Sequence, residues 1–156
     1  MKANNMKKII THLFVLFLIF TSCDKNEEEY VQPNYLTGTW EIIEIGQTNA
    51  QGVILYEQYQ NAANCGKDNL IFNVDSTFEA NDYLQINGNC SNNKTSGTYT
   101  RKSTSVVLNY SEVVNGVPQQ VDNQYSVVAL TFDQIIINYK DKSTNKLIYL
   151  KLNKLK

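Results

Sequence analysis

From Leu36 onward, apolar side chains recur at every second position, the period of a strand with one buried face. Trp40, Ile42 and Glu44 alternate with Glu41, Ile43 and Ile45. Leu70, Phe72 and Val74 share a face, Asp75-Ser76 marks a turn, and Phe78, Ala80 and Leu84 continue the next strand. Gly97 precedes a short run through Tyr99. Val106, Leu108 and Tyr110 follow, and Asn115-Gly116 has the composition of a hairpin turn. Tyr125, Val127 and Ala129 lead to Leu130–Phe132, Asp133-Gln134 turns the chain, and Ile135, Ile137 and Tyr139 form another strand. After the polar stretch 141–145, Ile148, Leu150 and Leu152 alternate with Leu147, Tyr149 and Lys151. The pattern predicts about eight strands and no amphipathic helix of useful length. Residues 46–64 are ambiguous: Val53–Tyr59 reads as a strand or as part of a long loop, and Asn61-Ala62-Ala63 could hold one helical turn. A meander of this kind removes its exposed edges by closing into a barrel, and a sandwich is the competing solution. The expected fold class is all-β, an antiparallel up-and-down barrel whose interior is either filled by side chains or holds one small ligand.

The first 22 residues break the pattern. Met1–Lys8 carries three lysines and no acid, and Ile9–Phe20 is nearly all apolar. This is the layout of a secretory signal, and the run is shorter than the ~20 residues needed to span a bilayer. Phe20-Thr21-Ser22-Cys23 resembles the bacterial lipobox, an apolar residue and two small ones ahead of a lipidated cysteine. The resemblance implies cleavage before Cys23, a diacylglycerol thioether on its sulfur and acylation of its new amino group, which together anchor the chain stably to a membrane. Asp24–Pro33 is polar and charged and reads as a solvated tether. Its acidic cluster also resembles the surface-export signal of Bacteroidetes lipoproteins. The expected organisation is therefore a signal peptide over 1–22, a lipidated cysteine and acidic tether over 23–35, and a β-barrel domain over 36–156. The expected location is the cell envelope, as an outer-membrane lipoprotein.

Loss of the leader changes the available chemistry. It removes His12, the only histidine, and three of the 14 basic residues, but none of the 15 acids, so the remaining chain carries a net charge near −4. That balance excludes a nucleic-acid partner, which requires a basic face. Without histidine there is no nucleophile–histidine catalysis. Glu41, Glu44, Glu57, Glu79, Asp82 and Glu112 could supply a carboxylate pair, but none stands in a catalytic motif. Asn87-Gly88-Asn89 lacks the remaining ligands of a calcium loop, and no cofactor or metal is expected. Cys65 and Cys90, an even pair in an exported domain, favour a disulfide worth roughly 3 kcal/mol by loop-closure entropy. A reactive thiol or a metal pair are the alternatives, and a zinc site would lack its other ligands.

Gly38-Thr39-Trp40 at the opening of the first strand resembles the Gly-x-Trp start of lipocalins. In that family the tryptophan closes one end of the barrel near a basic side chain of the last strand, here Lys151 or Lys154. The order Cys65, Asn69–Asn73, Cys90 and Gly97-Thr98-Tyr99 is similar to the short lipocalin-like domains of Bacteroidetes lipoproteins. The resemblance implies a barrel-end core at Gly38 and Trp40 and non-catalytic binding of a small apolar or amphipathic molecule in the barrel mouth. Tyr99, Tyr110, Tyr125 and Tyr139, at alternating strand positions, are the expected ligand-binding residues if they point inward. The alternative is a ligand-free barrel serving as a surface or envelope protein-interaction module. Lipidation is directly testable: Cys23→Ala should leave the leader uncut and the protein without acyl label in metabolic labelling, and normal labelling of the variant would refute the anchor.

Overall fold

The computed structural model describes Asn34–Lys156. The signal peptide, Cys23 and the tether up to Pro33 lie outside the described residues. Nine strands follow one another: β1 (Gly38–Thr48), β2 (Ile54–Gln58), β3 (Asn69–Phe72), β4 (Thr77–Ile86), β5 (Asn89–Lys102), β6 (Ser105–Val114), β7 (Val117–Leu130), β8 (Gln134–Lys140) and β9 (Leu147–Lys154). All pairings are antiparallel between neighbours, and β1 also pairs with β9, which closes the sheet. Among the described residues there is no helix.

The expected eight-stranded barrel is present, with one stave made of two strands. β2 and β3 lie on the same edge of β1: Glu44–Thr48 pairs with Gln58–Ile54, and Gly38–Glu41 pairs with Phe72–Asn69. Between them, Tyr59 N–H donates to Ile43 O and Ile42 N–H donates to Asp68 O. The ladder therefore resumes almost in step after an excursion of residues 60–67. This settles the ambiguous stretch: Val53–Tyr59 contributes a strand, and Asn61-Ala62-Ala63 is not helical.

The long β4–β5 and β6–β7 hairpins are set by their turns. Asn87 and Gly88 take φ of 51° and 81°, and Asn115 and Gly116 take 52° and 80°. Two successive positive φ angles give the twist that a tight hairpin needs, and asparagine and glycine tolerate them at least cost. The Asn115-Gly116 hairpin was legible. The Asn87-Gly88 hairpin, with the polar strand Asn89–Ser96 behind it, was not expected.

The core occupies one end of the barrel. Leu36, Trp40, Phe78, Ile135 and Leu152 are almost fully buried, joined by Phe72, Tyr99, Val106 and Leu108. The tryptophan indole N–H donates to Leu36 O at 2.6 Å, so its one polar atom is satisfied. Lys154 on β9 sits over the indole, its Nζ 5.1 Å from the ring centroid, and donates to Tyr35 O. Lys151, the other expected partner, instead pairs with Glu44 on the outer face. Gly38 is required by conformation, since its φ is 133°, and its missing side chain leaves room for Lys154 to lie alongside. Asn34 and Tyr35, at the end of the expected tether, belong to this plug, since Asn34 accepts a hydrogen bond from Arg101 at 3.1 Å.

Cys65 and Cys90 form a disulfide across a separation of 25 residues. It ties the excursion between β2 and β3 to the tip of the β4–β5 hairpin, at the end of the barrel opposite Trp40. Because Trp40 is fully buried, Trp40→Ala should cost about 3–5 kcal/mol, the range for truncating a large core aromatic. Chemical denaturation measures this, and a loss below about 1 kcal/mol would contradict the packing described.

Candidate functional site

The inner face divides by height. Below, at the Trp40 end, large side chains fill the section. Above, the staves splay. β5 pairs with β6 only over Gly97–Lys102, so Asn89–Ser96 pairs with β4 alone. Gly97 marks the departure, since a Cβ there would lie 2.1 Å from Asn109 O on β6. Likewise β7 pairs with β8 only from Ser126 onward, which leaves Val117–Tyr125 held by β6 alone. A barrel that is tight at one end and splayed at the other leaves a void, and a cavity of about 420 Å³ lies there. This is within the usual size range of small-molecule sites.

One wall of the cavity is apolar, formed by Ile42 and Ile45 of β1, Leu70 of β3, Ala80 of β4 and Leu150 of β9. Tyr125 and Tyr139 complete it, their ring centroids 5.5 Å apart. They stand where the pairing of β7 with β8 ends, and both also line a second hollow of about 430 Å³ that contains Asp122, Lys140, Asp141 and Lys142. The rest of the lining is mainly polar, with Tyr59, Asp68, Asp82, Asn93 and Thr95, and on β4 polar Asp82 follows apolar Ala80 on the same face.

Asp68 organises the polar wall. It is 4% exposed, its Oδ1 accepts from Tyr83 N–H at 2.7 Å, and its Oδ2 accepts from the Tyr59 hydroxyl at 2.6 Å. Its own N–H donates to Asn61 Oδ1 at 2.8 Å. Oδ1 thus fastens the end of the excursion to β4 and Oδ2 ties it to the excursion's start at Tyr59, and burial without such partners would be costly. Asp82 is different. It lines the cavity in an exposed position and has no hydrogen-bond partner among the described residues. Partial desolvation against the cavity lining raises its pKa, and the negative charge of Asp68 raises it further. Burial pushes the Tyr125 phenol up to about 12. The Tyr59 phenol is raised by burial and by its bond to Asp68, and the Tyr139 phenol by burial and the charge of Asp141.

The structure separates the four expected tyrosines. Tyr125 and Tyr139 point inward and line the cavity. Tyr110 packs against the core edge-to-face with Phe78, 6.2 Å between centroids, and its hydroxyl accepts from Asn123 at 2.7 Å. Tyr99 is buried at the closed end against Phe72 and donates to Asn73 O, so it belongs to the plug and not to the cavity lining. The acids separate too. Glu41, Glu44 and Glu79 pair outward with Lys67, Lys151 and Lys94. Of the six acids considered from sequence, only Asp82 lines the cavity. Asp68 and Tyr59 were missed, because nothing in a run of loop residues signals that a ten-residue span will fold back over the barrel mouth. Among the described residues no group of three histidine, cysteine or acidic side chains could hold a metal ion.

A family model described as a lipocalin-like domain matches residues 36–137. Among solved structures, bovine odorant-binding protein in complex with undecanal is 18% identical, with 80% of this chain and 74% of that chain covered and a TM-score of 0.43. A dog lipocalin allergen is 13% identical, with 76% and 71% covered and a TM-score of 0.37. No curated protein matches in sequence.

The burial of Tyr125 has a consequence at high pH. Its folded-state pKa is raised from 10.0 to about 12, so the stability it contributes is fully present below about pH 10 and is lost as pH rises through about 12. Tyr125→Phe should flatten the fall in stability across that window, and thermal melts at stepped pH will measure it.

Proposed function

This chain belongs to the lipocalin-like domain family, and from that premise we propose a lipid-anchored envelope protein that binds a small apolar or amphipathic molecule non-catalytically in the splayed half of its barrel. The observation that carries this reading is the unfilled space above the core. A barrel serving only as a scaffold would close that section with its own side chains. Here about 420 Å³ is left among apolar and polar side chains, with two tyrosines at a breach between staves. Pockets that hold small molecules combine a mainly apolar lining with a few placed polar groups. The binding role needs no group transfer: both oxygens of Asp68 are engaged in hydrogen bonds that hold the fold.

The anchor rests on the lipobox resemblance and the apolar run before Cys23, which lie outside the described residues. It places the cavity at an envelope surface, where apolar and amphipathic molecules are concentrated.

A second reading draws on the free ribbon. The distal β6–β7 hairpin exposes Val113 and Val117, 68% and 58% accessible, on strands whose outer edges are unpaired. Such an edge can add a strand from another protein, as the interaction-module alternative requires.

The two readings separate in one experiment. The full chain, incubated with envelope extract and examined by native mass spectrometry, should carry a small-molecule adduct. Ala80→Trp, which fills the cavity from β4, should abolish the adduct while preserving the β circular dichroism spectrum. Absence of any adduct on the wild-type chain would favour the interaction module.

A further inference from the structure

The charge of the cavity specifies more than its shape does. The two ionisable acids of its lining, Asp68 and Asp82, have no lysine or arginine beside them in the cavity wall. The bases on the surrounding strands point outward: Lys67 is held by Glu41, Lys94 by Glu79 and Lys151 by Glu44. Lys140 and Lys142 lie in the neighbouring hollow, in the company of Asp122 and Asp141. Asp68 is satisfied by Tyr59 and Tyr83, whereas Asp82 has no hydrogen-bond partner among the described residues. Aromatic side chains line the same space: Tyr59 beside Asp68, and the Tyr125–Tyr139 pair.

Resting on the binding role proposed above, we infer that the ligand is a cationic amphiphile, an alkyl or aryl amine whose ammonium head is received by Asp82 beside the tyrosine rings while its body lies along Ile42, Ile45, Leu70 and Leu150. Each part of such a molecule meets its complement. An ammonium group supplies the donors that Asp82 lacks and forms charge-assisted hydrogen bonds. Tyrosine faces attract cations at close range. The aliphatic wall takes the chain. A carboxylate ligand such as a fatty acid would instead bring a third negative charge into a space that already holds two acids. The upward shift of the Asp82 pKa agrees with a carboxyl group that lacks a cation, and a bound ammonium would reverse it.

Three probes of equal chain length isolate the head group: 1-octylamine, 1-octanol and octanoate. The full lipidated chain, in phosphatidylcholine nanodiscs with empty discs as the blank, is titrated with each by calorimetry at neutral pH. Octylamine should bind about tenfold or more tighter than octanol, the scale of one hydrogen bond to a charged group, and octanoate should bind weakest. Asp82→Asn should reduce octylamine to the level of octanol, and Asp82→Glu should restore the preference, with circular dichroism confirming that both variants keep the fold. If octanol or octanoate binds as tightly as octylamine, or if Asp82→Asn keeps the preference, the cationic ligand is refuted while the cavity remains a binding site. If none of the three binds, the binding role fails and the inference fails with it.

Discussion

β1 is the strand on which the rest of the barrel depends. On one edge it pairs with β9 from Trp40 to Gln47, and on the other it pairs with β3 and then β2. The sheet closes because its first strand pairs with its last, and the partner on the other side of β1 is split in two. The bulge between Ile42 and Glu44 lies at the level of the split. It bends β1 just where the chain leaves the stave at Tyr59 and returns at Asp68. Below that level the β1 ladder is continuous and the interior is filled by large apolar side chains. Above it the wall is partly supplied by a loop, and a loop brings polar groups that need partners.

The division between filled and unfilled halves follows from that break. Near Trp40, short turns join the strands and the inner positions carry large residues. Toward the other end, the hairpins outrun their neighbours: β4–β5 and β6–β7 extend past the points where β5 leaves β6 and β7 leaves β8. Inner positions at this height are Asn93, Thr95, Asp82 and two tyrosines, which are side chains compatible with water as well as with a ligand. The disulfide lies at this end, where the excursion would otherwise be held mainly by Asp68 and its partners.

Fold class was legible because alternation over β6, β8 and β9 and the recurrent short apolar runs elsewhere give most strands a mainly apolar face, and a sheet with such a face must cover it. Trp40 was legible as a core residue through the resemblance of Gly38-Thr39-Trp40 to the opening of lipocalins. The stretch Ser91–Ser96 was not legible as strand. Its outer face meets water and its inner face meets the cavity, so it has no apolar face to alternate with a polar one. The tyrosines were legible only as a set. Alternation places Tyr99, Tyr110, Tyr125 and Tyr139 on inner faces, but height along the barrel decides whether an inner residue plugs or lines, and height depends on register between strands far apart in sequence. Asp68 was hidden more deeply, because its role arises from a return of the chain that has no periodic signature.

The pairing of Trp40 with Lys154 joins positions 114 residues apart, and it is the contact that completes the barrel. Every other neighbouring pair of strands can form as the chain lengthens, each new strand adding to the last. Closure alone must wait for β9, and until then β1 presents one edge unpaired. Loop-closure entropy falls on this step more than on any other. A sheet that lacks β9 leaves its apolar inner face uncovered along the β1 edge, so burial of that face is tied to docking of the last strand. The lysine over the indole belongs to that final strand, so the polar clasp at the closed end is also among the last contacts to form.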